Sequence, residues 1–256
     1  MRPENSIEIK LLEKKCWRDG LVTLRFEKPK TFAFEIGQFV RIGLEDANGN
    51  YTGRAYSLAS LPTDDYIELL VVAVDNGALS PRLVALEEGD SVILESYLFG
   101  QILPKRILGG STLWLLASGT GLAPFISFIR SPFIWESWSL VVLVHSVRHL
   151  EDLAYRTQIE TLSKELATYE GSLRRLIYVP VVTQEHSDAL HERIPQLIDS
   201  GLLEEKAGIK LNAEDSRVIL CGNPQMVQDV RQLLKTKGFV APRRGNPGNL
   251  LAEALW

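Results

Sequence analysis

Apolar and polar positions follow two different patterns along the chain, and the change between them falls near residue 104. In the first part, short apolar runs alternate with polar residues and stop at turn-forming residues; these runs cover residues 21–26, 39–44, 66–74 and 91–95. Period-two alternation puts every second side chain on one face of a strand. Several short strands separated by turns are typical of an antiparallel β-barrel, which we predict for residues 1–103.

The second part of the chain has continuous apolar runs, each followed by a helix-like stretch. We predict strands at residues 113–117, 140–144, 176–182 and 217–221, and helices at 151–169, 189–199 and 224–237. Uninterrupted apolar strands that alternate with helices indicate a parallel sheet covered on both faces. We therefore predict an α/β parallel-sheet domain over residues 104–256, with the linker near residues 103–106. Ligands of such sheets bind at the carboxyl ends of the strands.

The composition is that of a folded chain long enough for two compact domains: it has 256 residues, of which 45% are hydrophobic and 23% charged. The formal net charge of −4 argues against a dedicated nucleic-acid-binding protein, because such proteins are more often strongly basic. No apolar run approaches the roughly 20 residues that span a bilayer, and residues 1–6 lack an apolar signal region. We expect a cytoplasmic protein that binds neither nucleic acid nor membrane.

The chain has two cysteines, Cys16 and Cys221, far apart in the sequence. An iron–sulfur cluster usually takes four cysteine ligands, so these two do not supply a set for one. The four histidines form no metal-ligand spacing with the cysteines. We therefore expect two free thiols, as in cytosolic proteins, and no metal site.

A cation, an aromatic ring and a small hydroxyl follow one another at the start of a predicted strand, as Arg54, Ala55, Tyr56 and Ser57. Residues two apart share a strand face, so Arg54 and Tyr56 can address one ligand. A flavin nucleotide needs a cation for its pyrophosphate, a flat ring against its isoalloxazine and a hydroxyl near N5. The segment is thus a candidate flavin site, although four residues alone also fit an ordinary strand.

Residues 75–83 form a turn that leads into a predicted short helix with Pro81 in its first turn. Backbone N–H groups at a helix start bind phosphate oxygens. Taken alone, the segment is better explained as a hairpin connection with a capped helical turn. It is a second candidate for phosphate binding.

Two more segments lie where a predicted strand of the second domain opens into a helix. Gly119, Thr120 and Gly121 stand where the phosphates of a dinucleotide approach a helix start, but Pro124 replaces the third glycine of the full glycine-rich pattern. A tight strand-to-helix turn is the competing interpretation. The second segment starts with Cys221, which would lie at the carboxyl edge of the sheet beside a nicotinamide, or serve only as a small buried apolar residue.

These four elements, in this order, resemble the bacterial-type ferredoxin–NADP reductase family over nearly the whole chain. The resemblance implies an FAD-binding antiparallel barrel followed by an NADP(H)-binding α/β domain whose C-terminal tail returns to the flavin. It also implies electron transfer between NADP(H), which exchanges a hydride, and ferredoxin or flavodoxin, which takes one electron at a time. The expected protein is a monomer, and its partner is an acidic electron carrier.

The resemblance also assigns individual residues. Those implied for FAD are Arg54, Ala55, Tyr56, Ser57, Val72, Val74, Ala78, Leu79, Ser80, Thr120, Leu255 and Trp256. Those implied for NADP(H) are Gly119, Thr120, Gly121, Arg148, Arg193, Cys221, Gly222 and Asn223. The implied catalytic residues are Ser57, Cys221 and Glu253.

The tail and the 2′-phosphate site depart from the family pattern at two positions. Trp256 is expected to stack on the adenine of FAD, the alternative being a frayed terminus, whereas Leu255 stands where relatives often carry an aromatic residue. A preference for NADP over NAD requires cations near the 2′-phosphate. The family positions for them are Arg148 and Arg193, and the alternative for Arg148 is a solvated loop residue. A third basic position holds Gln184, which weakens the expected preference.

Candidate basic side chains at the docking face for the carrier are Lys14, Lys15, Arg18, Lys235, Lys237, Arg243 and Arg244. For each residue individually, a surface charge that serves only solubility is at least as good an explanation. Alternative functions are the reductase component of an oxygenase system and a free NAD(P)H–flavin reductase. A non-enzymatic alternative is a flavoprotein sensor or regulatory subunit. Many oxygenase reductases add a cysteine-rich ferredoxin domain, for which this sequence lacks the cysteines.

Overall fold

A computed structural model describes residues 2–107, 109–168, 173–244 and 247–254. The chain divides into two compact units, Met1–Gly100 (unit 1) and Gln101–Trp256 (unit 2). The sequence pattern places the same transition after residue 103. Both units have their own buried apolar cluster.

Unit 1 is an antiparallel sheet of six strands. They are β1 (Ser6–Arg18), β2 (Leu21–Glu27), β3 (Phe39–Glu45), β4 (Tyr51–Ser57), β5 (Tyr66–Val72) and β6 (Ser91–Glu95). Their order is β4-β3-β6-β1-β2-β5, and an antiparallel bridge between Leu58 and Leu69 joins the end of β4 to β5. The sheet therefore closes on itself as the predicted barrel. The helix α1 (Ser80–Val84) lies between β5 and β6.

Unit 2 is a parallel sheet of five strands with helices between them. The strands are β7 (Thr112–Ser118), β8 (Leu140–Val147), β9 (Arg175–Val182), β10 (Ser216–Gly222) and β11 (Leu250–Ala254). The helices are α2 (Ala123–Arg130), α3 (Pro132–Ser137), α4 (Arg156–Thr168), α5 (Ile194–Ser200), α6 (Leu202–Ala207) and α7 (Pro224–Thr236). The strand order is β11-β10-β7-β8-β9, and each neighbouring pair is parallel. The apolar central strands β7 and β8 are buried on both faces, as the continuous runs predict.

Four predicted boundaries are wrong, each for a local reason. Arg54–Ser57, expected at the start of a strand, ends β4, because the chain already pairs with β3 from Tyr51 onward. The helix expected from residue 151 begins at Arg156, because the chain first makes a 3₁₀ turn at Leu150–Asp152. The helix expected from residue 189 begins at Ile194, because Leu190 is still extended and pairs with Val181. The strand expected to reach residue 74 ends at Val72, where the chain turns.

Among the residues that the structure describes, no helix combines the length and apolar character needed to cross a membrane. Within the same residues, no group of three or more histidine, cysteine or acidic side chains is placed to hold a metal ion. Both cysteines are free thiols, with Cys16 exposed on β1 and Cys221 buried on β10.

Candidate functional site

The segment Arg54–Ser57 forms the second half of β4, which pairs with β3 so that Arg54 lies opposite Ile42 and Tyr56 opposite Val40. Arg54 and Ala55 are exposed and Tyr56 is half-buried. Burial raises the pKa of Tyr56 to about 12, which keeps the phenol neutral. This edge of the barrel therefore presents a cation and a neutral ring two residues apart on one strand face.

Ser57, the last residue of β4, is 4% exposed, and its Oγ has no hydrogen-bond partner among the described residues. A buried hydroxyl normally has a partner, because leaving it without one costs about 1–3 kcal/mol. The hydroxyl is thus suited to a ligand that brings a hydrogen-bonding ring atom, as a flavin does. On this observation the site fits FAD.

A pair of glycines lies next to the flavin segment in β3 and β4. Gly43 and Gly53 lie directly opposite each other in β3 and β4. The ring of Tyr51 fills the space above them, so that a Cβ at Gly53 would lie 2.5 Å from the Tyr51 hydroxyl. That hydroxyl donates to Oε1 of Glu95 at 3.0 Å, and Arg41 Nε donates to the same oxygen at 3.0 Å. These contacts fix β3, β4 and β6 around Arg54.

The second segment predicted to bind phosphate is a compact turn before α1. Gly77 N–H donates to the Val74 carbonyl at 2.8 Å, and Val74 N–H donates to Ser80 Oγ at 3.0 Å. Leu79 is buried in the barrel core, whereas Ala78 and Val74 are exposed. Ser80 Oγ accepts the Val74 N–H within the turn and keeps its own O–H as a donor, while the Leu79 side chain is buried. The segment can therefore offer a ligand backbone groups and the Ser80 hydroxyl.

Two glycines allow the ends of β7 and β10 to approach each other in unit 2. A Cβ at Gly121 would lie 2.5 Å from the carbonyl carbon of Cys221, and one at Gly222 would lie 2.6 Å from the Ser118 carbonyl oxygen. Gly222 also has φ +135°, a conformation that L side chains rarely adopt. Asn223 N–H donates to Ser118 Oγ at 2.9 Å and ties the two strand ends together.

The helix starts beside these glycines are formed by local hydrogen bonds. Asn223 is the N-cap of α7, and its Oδ1 accepts from the N–H groups of Gln225 at 2.9 Å and Met226 at 3.3 Å. Gly119 has φ +54° and begins the 3₁₀ turn Gly119–Leu122, which continues into α2. Thr120 in this turn is 7% exposed. Residues from two strand ends thus converge at the carboxyl edge of the sheet.

A thiol and a carboxyl group lie side by side at the same edge. Cys221 on β10 is in register with Glu253 on β11. Burial, and then the charge of Glu253, raise the pKa of Cys221 well above its ordinary value. The Gln101 N–H donates to Glu253 Oε2 at 2.9 Å, while Oε1 is buried with no partner among the described residues. Burial raises the pKa of Glu253 as well.

The loops after β8 and β9 carry the residues expected to recognise the 2′-phosphate. Gln184 N–H donates to the Arg148 carbonyl at 2.9 Å, so these two residues are neighbours. Arg193 lies at the N-cap of α5. The side chains of Arg148, Gln184 and Arg193 are exposed, as a polar ligand requires.

His145 was not among the predicted site residues, although it is the most buried histidine and lies beside the Gly119 turn. It is 1% exposed, and its Nε2 lies 3.1 Å from the Gly119 carbonyl oxygen. The signal in the sequence is a histidine directly after the apolar run at residues 140–144. Its partner, 26 residues away, gives no signal at all.

Some predicted basic residues of the docking face already have partners within unit 1. Lys14 donates to the Leu86 carbonyl at 2.8 Å and to Glu87 at 3.4 Å. The ammonium of Lys15 lies 4.0 Å from the centre of the Trp17 ring. Leu255 and Trp256 lie outside the described residues, so the expectations for them stay predictions.

Comparison with known proteins supports the two-domain interpretation. Residues 8–97 match a family model described as an oxidoreductase FAD-binding domain, and residues 115–232 match one described as an oxidoreductase NAD-binding domain. The chain is 38% identical over 242 residues to a ferredoxin–NADP reductase of Azotobacter vinelandii, covering 93% of this chain and 92% of that protein. The chain belongs to the ferredoxin–NADP reductase family.

Two further members show how far the similarity extends. The flavodoxin/ferredoxin–NADP reductase of Escherichia coli is 39% identical over 248 residues, which cover 96% of this chain and 97% of that protein. A crystal structure of a ferredoxin NADP+ reductase from Neisseria gonorrhoeae, with bound FAD and NADP, has a TM-score of 0.90 at 31% identity. The match covers 98% of this chain and 99% of the chain from Neisseria gonorrhoeae.

Membership in the ferredoxin–NADP reductase family confirms the predicted resemblance and fold class. It also confirms the predicted cofactor types, because the FAD-binding match lies wholly within unit 1 and the nicotinamide-dinucleotide match wholly within unit 2. The matches to these three family members cover 93%, 96% and 98% of this chain, so each extends over both units.

Proposed function

We propose that this protein is an FAD-dependent oxidoreductase that transfers electrons between NADP(H) and ferredoxin or flavodoxin. The observation that carries the proposal is the combination, on one chain, of a flavin-type barrel edge at Arg54–Ser57 and a glycine-rich sheet edge where Cys221 and Glu253 lie side by side. Relatives that are 38% and 39% identical over most of their length, and are named for this activity, support it.

The flavin, when bound, supplies the redox chemistry, since it exchanges a hydride with NADP(H) and single electrons with a carrier protein. On the protein side, Arg54 would neutralise the pyrophosphate, and the Tyr56 ring would pack against the isoalloxazine. The Ser57 hydroxyl, which has no partner among the described residues, would hydrogen-bond the ring. Further FAD contacts are proposed for Ala55, Val72, Val74, Ala78, Leu79, Ser80, Thr120, Leu255 and Trp256.

For NADP(H), the glycines at the ends of β7 and β10 would let backbone groups approach the dinucleotide closely. The residues proposed for this site are Gly119, Thr120, Gly121, Arg148, Arg193, Cys221, Gly222 and Asn223. Burial keeps the Cys221 thiol protonated, so it offers the nicotinamide an uncharged packing surface. Glu253, whose pKa is raised by burial, is suited to hold a proton at the site.

The proposed setting is a cytoplasmic monomer that docks an acidic electron carrier. The free thiols of both cysteines support the proposed cytoplasmic location, because disulfides are rare there. Size-exclusion chromatography with light scattering tests the proposed monomeric state. Alternative acceptors separate the rival functions, because an oxygenase reductase or a free flavin reductase would prefer its own acceptor over ferredoxin or flavodoxin.

Substitution of the two arginines by alanine tests the choice of NADPH. Purified protein loaded with FAD should show flavin absorbance bands and should reduce ferricyanide with NADPH more efficiently than with NADH. Arg148→Ala and Arg193→Ala should each raise the KM for NADPH roughly tenfold, the equivalent of about 1.4 kcal/mol, and leave the KM for NADH unchanged. Steady-state kinetics with both nucleotides provide the measurement.

Arg231→Ala, an exposed arginine within α7, is the matched control and should change neither constant. Equal efficiency with NADPH and NADH in the unaltered protein would remove Arg148 and Arg193 as phosphate-binding residues. Absence of flavin bands in protein incubated with FAD and then separated from unbound FAD by gel filtration would overturn the whole proposal.

Replacing Glu253 with glutamine should stabilise the protein and reduce its activity. Because the folded-state pKa is raised, the folded protein resists ionisation of this carboxyl, and stability falls as the pH rises from the unfolded pKa through the folded one. Glu253→Gln removes that penalty and keeps an acceptor for Gln101 N–H. Thermal unfolding should show a higher Tm for the variant at pH 7 and none of this advantage below pH 4, with the turnover number reduced at both. A lower Tm at pH 7 would contradict the prediction.

A further inference from the structure

His145 holds a backbone carbonyl of the Gly119 turn from inside the sheet. The residue is in β8, where its neighbour in β7 is Ala117, two residues before Gly119. The side chain is 1% exposed, and its Nε2 lies 3.1 Å from the Gly119 carbonyl oxygen. No other histidine in the described part of the chain is buried. Burying a polar side chain costs free energy unless it is hydrogen-bonded, and the contact with Gly119 offsets part of that cost.

The hydrogen bond fixes the protonation state of the ring. A carbonyl oxygen can only accept, so Nε2 carries the hydrogen and Nδ1 is left as a bare acceptor. Nδ1 is buried and has no hydrogen-bond partner among the described residues. Burial lowers the pKa of His145 to about 4, so the ring is neutral at physiological pH.

The carbonyl that His145 contacts belongs to the first peptide of the 3₁₀ turn Gly119–Leu122. The C=O of Gly119 and the N–H of Thr120 share a planar trans peptide and point in opposite directions. A bond that directs the carbonyl into the sheet therefore directs the Thr120 N–H away from it. Glycine adopts positive and negative φ with similar ease. The intrinsic preference of Gly119 therefore does not fix its φ at +54°.

The remainder of the turn is restrained by other contacts. Ser118 accepts a hydrogen bond from Asn223 N–H, and Gly121 packs against the backbone of Cys221. The Gly119–Thr120 peptide lies between these two restraints, and its carbonyl accepts the imidazole hydrogen bond. Removal of the imidazole would take away the side-chain restraint on this peptide, leave it only the backbone bonds of the 3₁₀ turn, and keep the strand ends in place.

We propose that His145 is a positioning residue for NADP(H): its Nε2–H bond to Gly119 sets the direction of the Thr120 N–H at the dinucleotide site. This inference rests on the proposed function, because it assigns the Gly119 turn to NADP(H). It adds His145, which contacts the Gly119 turn from the sheet. His145 would not touch the nucleotide and would act on it only through the turn.

Two substitutions separate positioning from packing. In His145→Gln the side-chain amide reaches the place of Nε2 and can donate to Gly119, whereas His145→Leu fills a similar volume without a donor. Tyr178→Phe is the matched control, since Tyr178 lies in the adjacent strand β9 with a buried hydroxyl that has no partner among the described residues. The Phe variant should behave as the unaltered protein does.

Calorimetric titration of the FAD-loaded proteins with NADP+ provides the first test. His145→Leu should raise the dissociation constant for NADP+ roughly tenfold, the effect of one lost hydrogen bond. His145→Gln should restore most of the lost affinity. In steady state the Leu variant should raise the KM for NADPH and leave kcat at saturating NADPH nearly unchanged. Equal affinities for the Leu variant and the unaltered protein would overturn the proposal.

The second test needs no variant and so does not depend on a variant's folding. NMR of protein labelled with ¹⁵N-histidine should show His145 as the neutral tautomer with hydrogen on Nε2 from pH 6 to pH 8. A hydrogen on Nδ1 would overturn the proposal, because the Gly119 carbonyl would then lose its donor. If the unaltered protein itself fails to bind NADP+, the proposed function is wrong; if it binds and only the His145 results fail, the positioning role alone is wrong.

Discussion

Replacing Gly222 with alanine should lower the free energy of unfolding of unit 2 by about 3 kcal/mol, because two penalties combine at one position. The added Cβ would lie 2.6 Å from the Ser118 carbonyl oxygen, which is backbone and cannot move aside without displacing the end of β7. Gly222 also has φ +135°, which alanine rarely adopts. Urea denaturation followed by circular dichroism measures the change.

Gly208→Ala is the comparison variant, with positive φ but no steric contact. Gly208 has φ +67° at the end of α6, and a Cβ there would meet no heavy atom within 4 Å. Its expected cost is about 1 kcal/mol, the strain of a left-handed conformation alone. If the two variants lose equal stability, the close approach of β7 and β10 does not account for the glycine at position 222.

Acidification from pH 6.5 to pH 4 should remove about 3 kcal/mol of stability through His145 alone. Burial lowers its folded-state pKa from 6.5 to about 4, so between these values the unfolded chain binds a proton that the folded protein excludes. Stability therefore rises with pH across this window and is complete above it. The 2.5-unit difference between 6.5 and 4 corresponds to about 3 kcal/mol at 1.36 kcal/mol per unit.

A His145→Gln variant provides the comparison, because all other titrating groups are common to both proteins. The difference between the two unfolding free energies, measured by urea denaturation in steps from pH 4 to pH 7.5, should change by the full amount within the window. Parallel curves for the two proteins would show that His145 is not held neutral in the folded state.

Most of the fold was predictable because burial dictates the apolar pattern. The strands β7 and β8 are buried on both faces and read as continuous apolar runs. β1 was missed, since of its 13 residues only Ile9 and Leu11 are buried and charged residues interrupt the alternation. The sequence pattern does not predict β11. The strand has only five residues, which is too short for its apolar pattern to be recognised.

The candidate site was predictable where its residues are neighbours in sequence and not where they meet through folding. The Gly119 turn and the Cys221 strand end each form a local pattern, and the structure brings them together at one edge. The bond from Gln101 to Glu253 joins residues 152 positions apart, and no local pattern encodes it. The role of His145 depends in the same way on a backbone atom in another strand.

Because Cys16 is exposed and Cys221 is buried, the reactivity of the two thiols can report local unfolding around β10. Only a thiolate attacks an alkylating reagent, so in the folded protein a maleimide dye should modify the exposed Cys16 and spare the buried Cys221. The number of modified sulfurs per chain would then rise from one to two whenever β10 leaves the sheet. Pulsed alkylation read by mass spectrometry would follow unit 2 on its own, with the label on Cys16 as an internal standard.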